Sequence, residues 1–309
     1  MRKLKFIAAV AAALALAAFV LVGCSSGSGS ASSASASGSS ASSASASASS
    51  ASASSASASA SSAASDTVKF IVGFDAEYPP YGFKDADGSY TGFDLDLAKA
   101  VCEMNGWDYE AKPIDWDAKD LELDSGNITC IWNGFTYEGR EDKYAWSDQY
   151  MLNEQVFVVA EGSDVTSFEN MGGKKVVTQA GSAAFDLLTD TGEEGEEHEP
   201  MDAMFDGGAV ATVPDYNTAF LQLESGAVDV VACDLSIAQY QIAQNPGKYV
   251  QLAEPLNSEH YAVGFKLGQD DMAAKVTESL KKLDADGTVK ALCEKYAEYG
   301  MDYSNWVLK

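Results

Sequence analysis

Apolar residues in this chain fall into short β-branched runs that alternate with stretches of helical spacing. Residues 68–73 (VKFIVG) read as a first strand. Pro79 and Pro80 break regular structure after it, so Asp75 and Tyr78 are expected on a loop at the strand's C-terminal end. Residues 83–90 hold Asp87-Gly88, a hairpin signal. Asp94 is read as the cap of a helix in which Leu95, Leu97, Ala98, Val101, Cys102 and Met104 recur at helical spacing before Asn105-Gly106. Residues 107–114 predict a second strand and 118–123 a short helix. Residues 128–132 predict a third strand that stops at Asn133-Gly134, a turn dipeptide, with Thr136 and Arg140 just beyond. Strands alternating with helices imply a parallel sheet, and in such a sheet the loops bearing Asp75 and Tyr78, Trp116, and Thr136 with Arg140 fall on one rim.

The second half repeats the pattern. Residues 155–160 and 260–265 are extended runs that bracket a second α/β unit, and each is read as crossing between two lobes. Inside the bracket, the strand at 175–178 leads to Gln179 and to Ser182, the expected cap of a helix at 183–188. The apolar strand at 228–233 ends in Asp234, a carboxylate costly to bury unless paired and otherwise a cap for the helix at 236–243. Residues 272–283 and 289–299 predict amphipathic helices that return to the first lobe, and 303–309 a tail.

The N-terminus is different material. Arg2, Lys3 and Lys5 precede an apolar run at 6–22 and the sequence Leu21-Val22-Gly23-Cys24, the plan of a secretory signal. The cysteine after Leu-Val-Gly resembles a bacterial lipoprotein cleavage box, which implies lipid on Cys24; an uncleaved anchor helix is the alternative. Residues 25–65 are almost wholly Ser, Ala and Gly and bury too little to offset chain entropy, so a disordered leash is expected. At 5–6 Å times √n it spans about 35 Å. Residues 66–309 hold all 46 Asp and Glu; removing Arg2, Lys3 and Lys5 leaves 17 of the 20 Lys and Arg, a net charge of −29. That charge repels nucleic acid and anionic lipid surfaces.

Candidate chemistry is sparse. Cys102, Cys130, Cys233 and Cys293 have no C-x-x-C spacing; buried free thiols are expected, with a Cys102–Cys130 disulfide as the alternative. Two histidines build no zinc site, and the spacing of Asp85, Asp87 and Asp94 does not make an EF-hand, so no metal or cofactor is expected. The acidic loop at 192–200 reads as a solvated surface segment. Arg140 offers a planar fork that fits a carboxylate, or else pairs locally with Glu138, Glu141 or Asp142.

The motifs Asp75-x-x-Tyr78-x-Pro80-Tyr81, Gly92-Phe93-Asp94-Leu95-Asp96-Leu97-Ala98, Asn133-Gly134-Phe135-Thr136, Arg140, Trp146-Ser147-Asp148-x-Tyr150, Gln179-x-Gly181-Ser182 and Asp286-Gly287-Thr288 occur in this order. In that order the chain resembles the solute-binding proteins of polar amino-acid ABC importers across residues 66–309. The resemblance implies an α/β, two-lobed type II periplasmic binding protein fold, with 66–156 and 258–309 as lobe 1, 157–257 as lobe 2, two hinge crossings and a ligand cleft between the lobes. It implies a free amino acid as ligand, ABC importer permease subunits as partners, and a monomer tethered to the membrane by lipid. Arg140 would clamp the α-carboxylate with Gly134, Thr136 and the N–H groups near Ser182 and Ala183. Asp234 would take the α-ammonium, Tyr78 and Trp116 would sandwich the side chain, Asp75 would face the ammonium or a polar side-chain end, and Gln179 would line the second lobe's face. The chain departs from the family's pattern in having one residue fewer between Thr136 and Arg140, Thr129 in place of an acid, and Ala183 in place of Thr or Ser. A dehydratase-like enzyme on the same fold would use Asp75 or Asp234 as acid or base, but the sequence carries no nucleophile–base pair or activated serine motif. A sensor domain would be expected to precede a membrane helix and a signalling domain, which do not follow here.

Overall fold

A computed structural model describes residues 67–192 and 198–309. The readings of the signal segment, of Cys24, of the leash at 25–65 and of most of the acidic loop at 192–200 lie outside the described residues. In chain order the first part forms β1 (Lys69–Phe74), β2 (Glu77–Tyr78), β3 (Gly82–Lys84), β4 (Tyr90–Thr91), α1 (Phe93–Asn105), β5 (Asp108–Pro113) and α2 (Lys119–Asp124). Then come β6 (Cys130–Ile131), β7 (Ala145–Trp146), β8 (Met151–Ala160), β9 (Val176–Gln179), α3 (Ala183–Thr189), β10 (Ala211–Val213) and α4 (Tyr216–Ser225). The last part is β11 (Val230–Asp234), α5 (Leu235–Gln244), β12 (Tyr249–Gln251), β13 (Asn257–Tyr261), β14 (Gly264–Phe265), α6 (Asp270–Ala285) and α7 (Thr288–Lys295).

Two main sheets result. The first runs β5-β1-β6-β14-β7, with β1 parallel to both β5 and β6. The three expected strands are therefore parallel neighbours, and the loops after them share one rim. The second runs β10-β9-β11-β8-β12, and β13 also pairs with β8. The extended runs expected at 155–160 and 260–265 correspond to β8 and to β13 with β14. Of these, β14 belongs to the first sheet, while β8 and β13 form an antiparallel ribbon in the second.

Local chemistry accounts for the elements. Helix α1 buries Phe93, Leu97, Ala98, Val101 and Cys102 and ends at Gly106, whose left-handed backbone lets its N–H reach Cys102 and Glu103 carbonyls. Its cap position is Gly92, not Asp94 as expected. Gly92 has φ +142, and a Cβ there would lie 2.2 Å from the Tyr81 carbonyl oxygen. Asp94 sits inside the helix and accepts instead from the Gly134 N–H at 2.6 Å and the Tyr150 hydroxyl at 2.8 Å. Helices α6 and α7 bury Val276, Leu280, Leu283, Val289 and Cys293 in the core cluster shared with β1 and α1.

Four further expectations change. Tyr78 lies in a two-residue strand rather than a loop, because the prolines only forbid pairing after it. The third strand shortens to Cys130–Ile131, the second helix of the C-terminal pair stops at Lys295 and gives way to a 3₁₀ turn at Ala297–Tyr299, and the tail folds back so that Trp306 is buried against Met151. Strands β10 and β12 were not expected. All four cysteines among the described residues are buried free thiols, so the Cys102–Cys130 disulfide alternative is not realised. No helix among the described residues is long and apolar enough to cross a membrane.

Candidate functional site

Arg140 lies in the segment between β6 and β7. The Arg140 N–H closes a turn on the Tyr137 carbonyl, and its own carbonyl accepts from the Trp146 indole at 3.2 Å. The side chain is 5% exposed, with its guanidinium 5.2 Å from the Phe135 ring. Local pairing is not what it does, since Glu138 is held by His260. Arg140 instead reaches the second sheet: Nη2 is 2.8 Å from Asp186 on α3 and 3.4 Å from the Gly181 carbonyl, and Nη1 is 3.5 Å from the Thr136 carbonyl. Only the Asp186 contact is a strong bond, so the five-donor fork keeps capacity for a further carboxylate. Lys119 stands close by and donates to the same Gly181 carbonyl at 3.1 Å.

Asp234 anchors an acidic end. It occupies the cap position of α5, yet its side chain makes no cap bond. Its Oδ1 accepts from Asn153 Nδ2 at 2.9 Å, Gln155 Nε2 at 2.7 Å and the Tyr261 hydroxyl at 2.9 Å; Oδ2 accepts from the Tyr216 hydroxyl at 3.4 Å. The same two amides donate to Glu259 Oε1, each at 2.8 Å. Two buried carboxylates thus converge on shared donors. Burial pushes both pKa values up; hydrogen bonds counter this at each, and Asp234's charge raises Glu259 further. Thr136 joins the ends: its hydroxyl donates to Glu259 Oε1 at 2.9 Å while its carbonyl faces Arg140.

The other expected residues divide around these ends. Gln179 Nε2 donates to Asp75 Oδ2 at 2.6 Å and to the Pro214 carbonyl at 3.0 Å, tying the two sheets together. Burial raises the Asp75 carboxyl to about 6, against the lowering effect of its bonds from Glu77 and Gln179. The Tyr78 hydroxyl lies 3.3 Å from that of Tyr261, which places Tyr78 at the acidic end. Trp116 packs edge-on to Phe135, with the Lys119 ammonium 5.2 Å from its ring, which places it at the cationic end. Tyr78 also packs against Tyr81 and Tyr216. The Gly134 N–H is committed to Asp94, and the Ser182 hydroxyl to the Phe185 N–H at 3.1 Å and Thr178, leaving the first-turn N–H groups at Ala183 as the open donors of α3.

Sequence reasoning missed Lys119, Asn153, Gln155, Asp186, Tyr216, Glu259 and Tyr261. Asn153 and Gln155 alternate on the buried face of β8, and Glu259 and Tyr261 on that of β13, so polar residues take inward positions. Two cavities open beside these contacts. One of about 510 Å³ is lined by Glu138, Lys143, Ala183, Asp186 and Glu259; one of about 670 Å³ by Asp75, Glu77, Trp116, Asp117 and Asp215. Among the described residues no group of His, Cys, Asp or Glu is arranged to hold a metal ion.

Comparison with known proteins adds to this geometry. The model of the bacterial extracellular solute-binding proteins, family 3, matches residues 70–299. The L-cystine-binding protein TcyJ of Escherichia coli (strain K12) is 25% identical over 236 residues, 75% of this chain and 83% of TcyJ. The ABC transporter glutamine-binding protein GlnH of Bacillus subtilis (strain 168) is 28% identical over 240 residues, 76% of this chain and 83% of GlnH. The crystal structure of an ABC uptake transporter substrate-binding protein from Streptococcus pneumoniae, with bound histidine, superposes with a TM-score of 0.68 at 32% identity, covering 74% of this chain and 92% of that one.

Proposed function

This chain belongs to the bacterial extracellular solute-binding proteins of family 3, and on that premise we propose that it is an extracytoplasmic receptor that binds a free amino acid and delivers it to the permease of an ABC importer. Its fold is the two-lobed type II periplasmic binding protein fold. Residues 66–156 and 258–309 make one lobe and 157–257 the other, with the crossings near β8 and β13 as hinge. The protein acts as a monomeric receptor and not an enzyme, held to the membrane by lipid on Cys24 through the leash at 25–65.

The observation that carries this reading is the pairing of two oppositely charged, buried ends, Arg140 at one and Asp234 with Glu259 at the other, joined through Thr136. An amino acid is a zwitterion, and removing it from water requires an opposite partner for each end. Arg140 takes the α-carboxylate with the open N–H groups that follow Ser182, beginning at Ala183, and Asp234 takes the α-ammonium. Tyr78, Gly134 and Trp116 wall the ligand, and Asp75 and Gln179 meet the polar end of its side chain. Arg140 is carried on the first lobe and Asp186, Gly181 and Asp234 on the second, so closing the lobes and binding the zwitterion are linked.

A thermal-shift panel of the twenty amino acids with cystine and ornithine tests the reading. A ligand at 100 times its Kd adds about 2.7 kcal/mol, which raises Tm by roughly 5–10 °C for a domain of this size. A panel in which no amino acid moves Tm overturns the proposal.

A further inference from the structure

Lys119 is a buried cation with no carboxylate against it. It opens α2, and its four-residue spacing from Leu123 turns both side chains inward. It is 6% exposed. Its ammonium is held by the Gly181 carbonyl at 3.1 Å and, weakly, by the Trp116 carbonyl at 3.5 Å. None of the ion pairs formed by the described residues includes it. Gly181 has φ +67, which favours glycine, and a Cβ there would lie 3.0 Å from the ammonium, so the lysine packs directly on bare backbone.

The second cation sharpens the point. Arg140 shares the Gly181 carbonyl, and it has Asp186 as a counter-charge. Lys119 has two carbonyl dipoles and the face of the Trp116 ring, but no full counter-charge. Burial and then the Arg140 charge push its pKa down to about 8, while Asp120 and Asp186 act the other way. An ammonium removed from water beside another cation gains most from an anion, and a carbonyl supplies only a partial charge. The α-carboxylate proposed for Arg140 arrives at this place.

We propose that Lys119 is a second anchor for the ligand's carboxylate, beside Arg140, and that it sets how strongly the site demands a charged carboxylate. The inference rests on the amino-acid reading above. The competing role is a plain tie between the two sheets through Gly181.

Calorimetry on the full chain separates the two, using the preferred amino acid and its α-carboxamide. The ratio of their affinities measures what the carboxylate contributes. Lys119→Met is expected to lower affinity for the amino acid about ten- to hundredfold and to shrink the acid-over-amide ratio by the same factor, with the amide's affinity near wild type. Lys119→Arg keeps most of the ratio. Lys119→Gln, which retains a donor for Gly181 but no charge, shrinks the ratio as methionine does and serves if the methionine variant fails to fold. A wild-type ratio in either neutral variant, whatever the loss of affinity common to both ligands, overturns the proposal. Wild-type protein that binds no amino acid at all overturns the functional reading beneath it as well.

Discussion

The acidic end of the crevice is built on strands, and the cationic end on loops and helix starts. Asn153 and Gln155 lie on β8, Asp234 closes β11, and Glu259 and Tyr261 lie on β13, all registered by one sheet. Arg140 and Lys119 come from a loop and a helix start attached to the first sheet, and they find Gly181 and Asp186 on the second. A ladder of backbone bonds from β8 to β11 and β13 holds the acids in register. On the proposed lobe division, the cations are brought to their partners by the approach of the lobes. On that reading the acidic end is preformed and electrostatically costly, and the cationic end is assembled on closure.

The largest expected effect falls on the assembled end. Arg140→Ala should lower affinity for the preferred amino acid by a hundredfold or more, on the order of the 2–5 kcal/mol seen when one side of a buried charge pair is removed. Circular dichroism should show the fold intact, because the Asp186 partner of Arg140 is 52% exposed and loses little. A variant that still binds would remove the carboxylate seat from Arg140.

At the preformed end, binding and stability should move in opposite directions. Asp234→Asn should weaken binding about ten- to hundredfold, yet raise the ligand-free Tm by a few degrees, because it takes one charge from a coupled buried pair. Calorimetry and a melting curve on the same preparation check both signs. Loss of stability together with unchanged affinity would mean that Asp234 is only a structural acceptor.

A smaller effect is expected in pH dependence. Asp75 holds its proton more tightly in the fold, at about 6, than at its ordinary value of 3.8. Its contribution to ligand-free stability is thus fully present below about pH 4 and is lost as pH rises through 6, an effect of at most about 3 kcal/mol. Burial raises Asp94 likewise, to about 7, and adds the same sign over a wider range. Melting curves between pH 4 and 7 should show this decline, and Asp75→Asn should flatten it below pH 6. An unaltered slope in that variant would place Asp75 in water rather than against Gln179.

The parts of the molecule that were legible in advance are those where one period rules. The parallel order of β5, β1 and β6 follows from β-branched runs spaced by helices, and the rim loops that bear Asp75, Trp116 and Arg140 follow from that order. The acidic end was half legible. Asp234 stands out because it terminates an apolar run, but Asn153, Gln155 and Glu259 occupy inward strand positions normally taken by apolar residues, so the alternation that marks a strand hides them. Lys119 was hidden in the same way, as a charge on the inward face of a short helix. Asp186 had no signal in the sequence, since its partner comes from 46 residues away and from the other sheet. The cap misassigned to Asp94 came from a side chain that prefers helix starts but is drawn off by Gly134 and Tyr150.

The claim that two opposed charges grip one zwitterion is tested most directly by calorimetry on wild-type protein with three ligands: the preferred amino acid, the same molecule lacking its α-amine, and the same molecule with its carboxylate made an amide. Loss of at least about a hundredfold in affinity is expected for each altered ligand. An altered ligand that binds within a few-fold of the parent would show that one end of the crevice holds nothing, and would contradict the account.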